Sequence, residues 1–225
     1  MTRPDEAAPS SPTQTLWNAG WYRFARWLTS PNFGPRPDCA QTDLIVIHSI
    51  SLPPGEFGGD AVQRLFTNQL NWSAHPYYQS IRGLQVSAHF YVRRDGALWQ
   101  FVSCDERAWH AGASCYRGRD NCNDDSIGIE LEGLEGDTFE VAQYETLAGL
   151  CAGIAQRYGI LHVAGHEHVA AQRKKDPGAG FDWSRLRDSL GWSYQCFPEV
   201  VSGCESGAAT PATPTAAHSS DKKSS

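Results

Sequence analysis

The run Gly165-His166-Glu167-His168-Val169-Ala170-Ala171-Gln172-Arg173-Lys174-Lys175-Asp176-Pro177-Gly178 gathers imidazole, carboxylate and ammonium groups into one short stretch. Imidazole nitrogens and carboxylate oxygens are zinc ligands, and a nearby ammonium can hold a developing oxyanion. Far upstream, the apolar run Leu44-Ile45-Val46-Ile47 delivers a further imidazole, His48, just before the chain turns polar at Ser49-Ile50-Ser51. A strand end is rigid, which suits a ligand that must be in place before a metal arrives. Two histidines and an aspartate would leave one zinc position open, the layout of a hydrolytic rather than a structural site. Within the run the choice of ligands stays open. No H-E-x-x-H spacing is present, and Glu167 and His168 compete with His166 and Asp176.

Glu130 follows the alternation Ile127-Gly128-Ile129. A carboxylate on a buried strand is costly unless it is paired or functional, and here it can take a proton from zinc-bound water. Glu132 faces the same side, at a Cα separation of about 6.6 Å. That pair also admits a glycosidase, with one carboxylate as acid and the other as base. The plain alternative is a Glu132 that points to solvent beside Gly133. One of Lys174 and Lys175 can serve as the oxyanion partner. His75, His89, His110 and His162 read as structural or supporting. Singly, each of these residues has a plain reading: a hydrogen-bonded histidine at a sheet edge, a solvated loop, a lysine in water.

The positioning elements follow from periodicity. Residues 43–48 read as a buried strand, being apolar and mostly β-branched. Residues 86–93 and 97–102 flank Asp95-Gly96, a hairpin turn signal. Residues 126–131 alternate as a half-buried strand does. After Thr138, the expected N-cap, apolar residues recur at helical spacing until Gly159. Shorter helices are expected over residues 17–28, 60–70 and 181–190, and a short strand over 161–164 leads into His166. Strands and helices interleave, so the expected fold is α/β: one domain with a mixed central β-sheet and helices packed on its faces. The domain is expected over residues 15–198. Residues 1–14 and 199–225, rich in Pro, Ser, Ala and Thr, are expected to be disordered.

At 225 residues the chain can bury a full core, and a net charge of −6 weighs against a nucleic-acid partner. No stretch approaches the roughly 18 apolar residues of a membrane span. The seven cysteines form no C-x-x-C pair, and Met1-Thr2-Arg3-Pro4-Asp5-Glu6 lacks an apolar leader. Reduced thiols and a cytoplasmic location are therefore expected.

Six segments, in order, resemble the AmpD family of zinc N-acetylmuramoyl-L-alanine amidases, whose wider relatives are phage amidases and peptidoglycan recognition proteins. They begin at His48-Ser49-Ile50-Ser51-Leu52-Pro53-Pro54-Gly55, Val86-Ser87-Ala88-His89 and Arg107-Ala108-Trp109-His110-Ala111-Gly112. They continue with Cys122-Asn123-Asp124, Ser126-Ile127-Gly128-Ile129-Glu130-Leu131-Glu132-Gly133 and Arg173-Lys174-Lys175-Asp176-Pro177-Gly178. The resemblance implies a zinc ion held by His48, His166 and Asp176, Glu130 as the catalytic carboxylate, and Lys174 rather than Lys175 as the oxyanion partner. It implies cleavage of the amide between the lactyl group of 1,6-anhydro-N-acetylmuramic acid and L-alanine of the stem peptide, during cytoplasmic recycling of wall fragments. The implied partner is a small muropeptide bound by a monomer. Substrate contact is expected at Ser49, Gln85, His110 and Asn121. Three of these depart from the family pattern: Ser49 stands where many members have Asn, and Gln85 and Asn121 where arginine is found. Glu167-His168 likewise replaces the usual Cys-Asn or Cys-Asp.

Overall fold

The computed structural model describes residues 16–198, so the expected disordered segments lie outside the described residues. One sheet is built from Arg26–Trp27 (β1), Leu44–Ile50 (β2), Phe90–Val92 (β3), Leu98–Gln100 (β4), Ser126–Glu132 (β5) and His162–Gly165 (β6). The helices are Ala61–Phe66 (α1), Pro76–Ser80 (α2), Val141–Tyr158 (α3), His166–Val169 (α4) and Trp183–Leu190 (α5). The strand order is β6-β2-β5-β3-β4-β1. β6, β2, β5 and β3 run parallel, β3 and β4 form the antiparallel hairpin around Asp95-Gly96, and β1 lies parallel to β4. This is the expected mixed sheet with helices on its faces.

Alternation decides what each face carries. Ile45 and Ile47 of β2, Ile127, Ile129 and Leu131 of β5 and Val163 of β6 pack against Leu147, Leu150 and Ile154 of α3. Each fully buried aliphatic there contributes about 1.5–3 kcal/mol. The opposite face takes the residues in between: Leu44, Val46 and His48 on β2, and Gly128, Glu130 and Glu132 on β5. Leu44 and Val46 pack on Ala111, Tyr116 and Val169. The parallel register sets His48 beside Glu130. Both therefore emerge near the carboxyl ends of adjacent parallel strands, where open sheets of this kind bind ligands.

The structure departs from expectation in four places. Residues 17–28 form no helix: Trp17–Asn18 pairs antiparallel with Trp21–Tyr22, and the chain continues into β1. The turn needs Gly20, whose φ is +75°, because a Cβ there would lie 2.1 Å from Ser103 Oγ. β5 is buried along all seven residues rather than half-buried, since side chains cover both of its faces. α3 is capped by Glu140 rather than Thr138, through a capping box with Gln143. It ends at Gly159 in the left-handed region, as its periodicity predicts. Finally, Cys39, Cys104, Cys122, Cys151 and Cys196 are free, but Cys115 is disulfide-bonded, which the expectation of reduced thiols did not include. No helix among the described residues is long and apolar enough to cross a membrane.

Candidate active site

β2 carries His48 to the sheet's edge of the cleft. β6 ends at Gly165, where the chain turns into α4, so His166 heads a helical turn instead of continuing the strand. The loop after α4 returns Asp176 to the same point, and the Glu167 N–H clamps it by donating to Asp176 O at 2.8 Å. Three ligand atoms converge. His48 Nδ1 and His166 Nδ1 are 2.9 Å apart, and Asp176 Oδ2 lies 3.1 Å from His166 Nδ1 and 3.4 Å from His48 Nδ1. All three side chains are buried, and the group can hold a metal ion.

The donors fit zinc. His166 Nε2 faces Ala111 O at 3.1 Å. A carbonyl only accepts, so the proton sits on Nε2 and the lone pair on Nδ1 points at His48 and Asp176. Burial, then the neighbouring His166, push the His48 imidazole down to about 4, so it is neutral at neutral pH. Burial alone would raise the Asp176 carboxyl, but the contacts with His166 and His48 outweigh it and hold the group well below the usual carboxylate range. Two imidazoles and a carboxylate face one another at separations close to the about 3.3 Å edge of a tetrahedral site with bonds of about 2.0–2.1 Å.

Glu130 stands beside this group. It is only 9% exposed, and its Oε2 is buried without a hydrogen-bond partner among the described residues. Burial first, and then the charge of Asp176, raise its carboxyl well above the ordinary value, while Lys174 opposes them. Such a group has a high proton affinity, with only Lys174 favouring its charged form, as a proton shuttle needs. Glu130, His166, Lys174, Asp176 and Ser49 line a cleft of about 580 Å³ whose far wall is apolar, with Leu52, Leu65 and Ile81. Ser49 Oγ is buried and unpartnered among the described residues. Lys174 is half-buried, and Lys175 is exposed at the rim.

The other candidates lie elsewhere. Gln85 is exposed and does not line the cleft. Asn121 sits in a turn, accepting from Arg107 Nη2 at 3.0 Å and donating to Asp124 Oδ2 at 2.9 Å, so its amide is used within the loop. His110 borders the cleft, but its ring nitrogens are spent on His48 and Ser126. His168 accepts from Gly165 N at 2.9 Å and stacks edge-on against Trp183, away from the ligand atoms. Glu132 neither points to solvent nor pairs with Glu130. It accepts from Gly58 N at 2.6 Å and Arg94 N at 3.0 Å, and Arg93 lies 3.7 Å away. The glycosidase pair is thereby dissolved, because Glu132 is committed to pinning a loop.

His89 shows how the sheet supports the site. Its Nδ1 accepts from Gly128 N at 3.0 Å, so its proton sits on Nε2 and points at Glu106 O, 3.1 Å away. Burial, and then Arg36, push this imidazole down from 6.5 to about 3. Because the folded value is depressed, the unfolded chain binds more protons between those two values. The stability from neutral His89 is therefore complete above the unfolded value and is lost as pH falls toward 3. At pH 4.5 the expected loss from this residue is about 2–3 kcal/mol. Urea melts at pH 7 and 4.5 check it: His89→Asn should flatten the difference, and an equal pH dependence in the variant would exclude His89 as its source.

Comparison with known proteins agrees with this geometry. Residues 38–179 match the family described as N-acetylmuramoyl-L-alanine amidase. The 1,6-anhydro-N-acetylmuramyl-L-alanine amidase AmpD of Citrobacter freundii is 48% identical over 174 residues, covering 76% of this chain and 93% of that protein. A crystal structure of a selenomethionine AmpD derivative, 48% identical, superposes with a TM-score of 0.76 over 78% of this chain and 99% of that one. The Escherichia coli amidase AmiD, in complex with anhydro-N-acetylmuramic acid-L-Ala-D-gamma-Glu-L-Lys, is 30% identical with a TM-score of 0.50, over 68% of this chain and 60% of that one. With its sheet, its His48-His166-Asp176 group and its sequence all in agreement, the chain belongs to the N-acetylmuramoyl-L-alanine amidase family.

Proposed function

We propose that this chain is a zinc-dependent amidase that cleaves the bond between the lactyl group of 1,6-anhydro-N-acetylmuramic acid and L-alanine of the stem peptide. In this reading it acts as a monomer, in the cytoplasm, in peptidoglycan recycling. The carrying observation is the convergence of His48 Nδ1, His166 Nδ1 and Asp176 Oδ2 beside the buried Glu130, whose Oε2 has no hydrogen-bond partner among the described residues. The names of its relatives support the substrate, since AmpD is a 1,6-anhydro-N-acetylmuramyl-L-alanine amidase and AmiD was solved with an anhydromuramoyl tripeptide.

His48, His166 and Asp176 would hold the zinc ion, which when bound supplies Lewis acidity that acidifies water and polarises a carbonyl. Glu130 takes the proton from the attacking water. Its raised proton affinity lets it keep that proton until the tetrahedral intermediate collapses, then pass it to the leaving amine of L-alanine. The Lys174 ammonium faces the oxyanion across the cleft. The apolar wall at Leu52, Leu65 and Ile81 excludes water and strengthens these charge interactions.

Mass spectrometry of an anhydromuramoyl tripeptide incubated with the protein tests the reaction. Free tripeptide should form, and a chelator should stop it. Undiminished release under chelation removes zinc from the reading, and cleavage within the stem instead of release of the whole tripeptide removes the lactyl amidase. Lys174→Ala should lower kcat about 10²–10³-fold, the cost of one oxyanion donor, with KM little changed. Lys175→Ala should leave both near wild type. Steady-state kinetics decide, and a Lys174 effect confined to KM would make it a substrate-binding residue only.

A further inference from the structure

The two imidazoles of the metal group lean on two adjacent residues, one on each. His166 Nε2 meets Ala111 O at 3.1 Å, and His48 Nε2 meets His110 Nδ1 at 2.9 Å. The second contact can be polarised either way until it is followed outward. His110 Nε2 lies 3.2 Å from Ser126 Oγ, and the Ser126 hydroxyl donates to Cys122 O. A carbonyl cannot donate, so the single hydroxyl proton of Ser126 is committed to Cys122. Ser126 Oγ must then accept from His110 Nε2–H. A neutral imidazole has one N–H and one lone pair, so His110 Nδ1 accepts. His48 therefore carries its proton on Nε2 and its lone pair on Nδ1, aimed at His166 and Asp176. One carbonyl, Ala111 O, sets His166, and another, Cys122 O, sets His48 through two intervening groups.

The segment that does this is itself held. Asn123 Oδ1 accepts from His110 N at 3.0 Å and from Ala111 N at 2.7 Å. Asn123 is buried, and Arg173 Nη2 also donates to Ala111 O at 2.7 Å. Beneath the ring, Gly128 makes room for it: a Cβ there would lie 2.5 Å from His110 Cγ.

We propose that His110-Ala111, clamped by Asn123, is a single template that fixes the tautomer and ring plane of both histidine ligands. His110 and Asn123 are then positioning residues for the metal rather than substrate contacts. The proposal rests on the metal reading above. Partners that orient a ligating histidine typically change metal affinity about 10–100-fold when removed.

Two measurements test it. Imidazole ¹⁵N shifts of the metal-free wild-type protein should show His48 and His166 as Nε2–H tautomers, and a Nδ1–H tautomer at His48 overturns the proposal without any variant. Zinc dissociation constants, from competition with a chromophoric chelator, should rise about 10–100-fold in His110→Phe and Gly128→Ala. His110→Gln, which keeps one acceptor and one donor, should recover most of that loss, and Asn123→Asp should lie closer to wild type than Asn123→Leu. Unchanged affinity in His110→Phe overturns the template. If the wild-type protein itself binds no zinc, the metal reading fails, while the tautomer measurement still decides the template.

Discussion

Glu130→Gln should lower kcat on the anhydromuramoyl amide about 10²–10⁴-fold, the usual loss when a general base is removed, while zinc content per chain stays at the wild-type level. The geometry makes this separation sharp. Glu130 is not among the three converging ligand atoms, so its loss leaves the metal group whole. Its Oε2 is buried with no partner among the described residues, and burial raises its carboxyl well above the ordinary value. A charge held there works against folding, so the neutral glutamine should melt no lower than wild type. An active-site residue kept at a cost to stability is expected where chemistry needs it. Kinetics, metal analysis and thermal melts on the same preparation check all three parts. Near-normal turnover would end the base role, and a loss of zinc would make Glu130 a ligand instead.

His166→Ala should abolish both stoichiometric zinc and amidase activity. Zinc at 1,000 times its dissociation constant should stabilise the wild-type protein by about 4 kcal/mol, or roughly 10 °C in melting temperature for a domain of this size. The variant should show no such shift. The reason is geometric: His166 Nδ1 is the atom in closest contact with both other ligand atoms, at 2.9 Å and 3.1 Å. Its removal leaves a single imidazole and a carboxylate. Thermal melts with and without zinc, together with turnover, check this. A variant that keeps one zinc per chain and cleaves the substrate would refute the ligand assignment.

How much could be read without coordinates varied by element. The run Leu44-Ile45-Val46-Ile47 and the alternation Ile127-Gly128-Ile129 specify buried strands by composition alone, and they sit side by side as β2 and β5. The period of residues 141–158 and the Gly159 stop place α3 for the same reason. The aromatic stretch at 17–28 misled, because Trp17 and Tyr22 fill the core from extended backbone that a local helical pattern does not report. Glu132 misled too. Alternation correctly puts it on the face of Glu130, but only Gly58 and Arg94, brought in by distant loops, reveal that it is a clamp.

Residue types and order along the chain determined the family, the strands that deliver His48 and Glu130, and a short list of ligand candidates around His166. Residue types left Glu167 and His168 open beside Asp176 and the family resemblance pointed to Asp176, but only the tertiary structure shows why the other two turn away: α4 begins at His166 and rotates them off the strand's face. Tertiary structure alone decided which nitrogen of each histidine is free, because Ala111 O and Cys122 O, far off in sequence, fix the protons. Periodicity reports which face a side chain takes within its own element. Which loop closes over that face, and which carbonyl it presents there, depends on contacts between elements that no local pattern encodes.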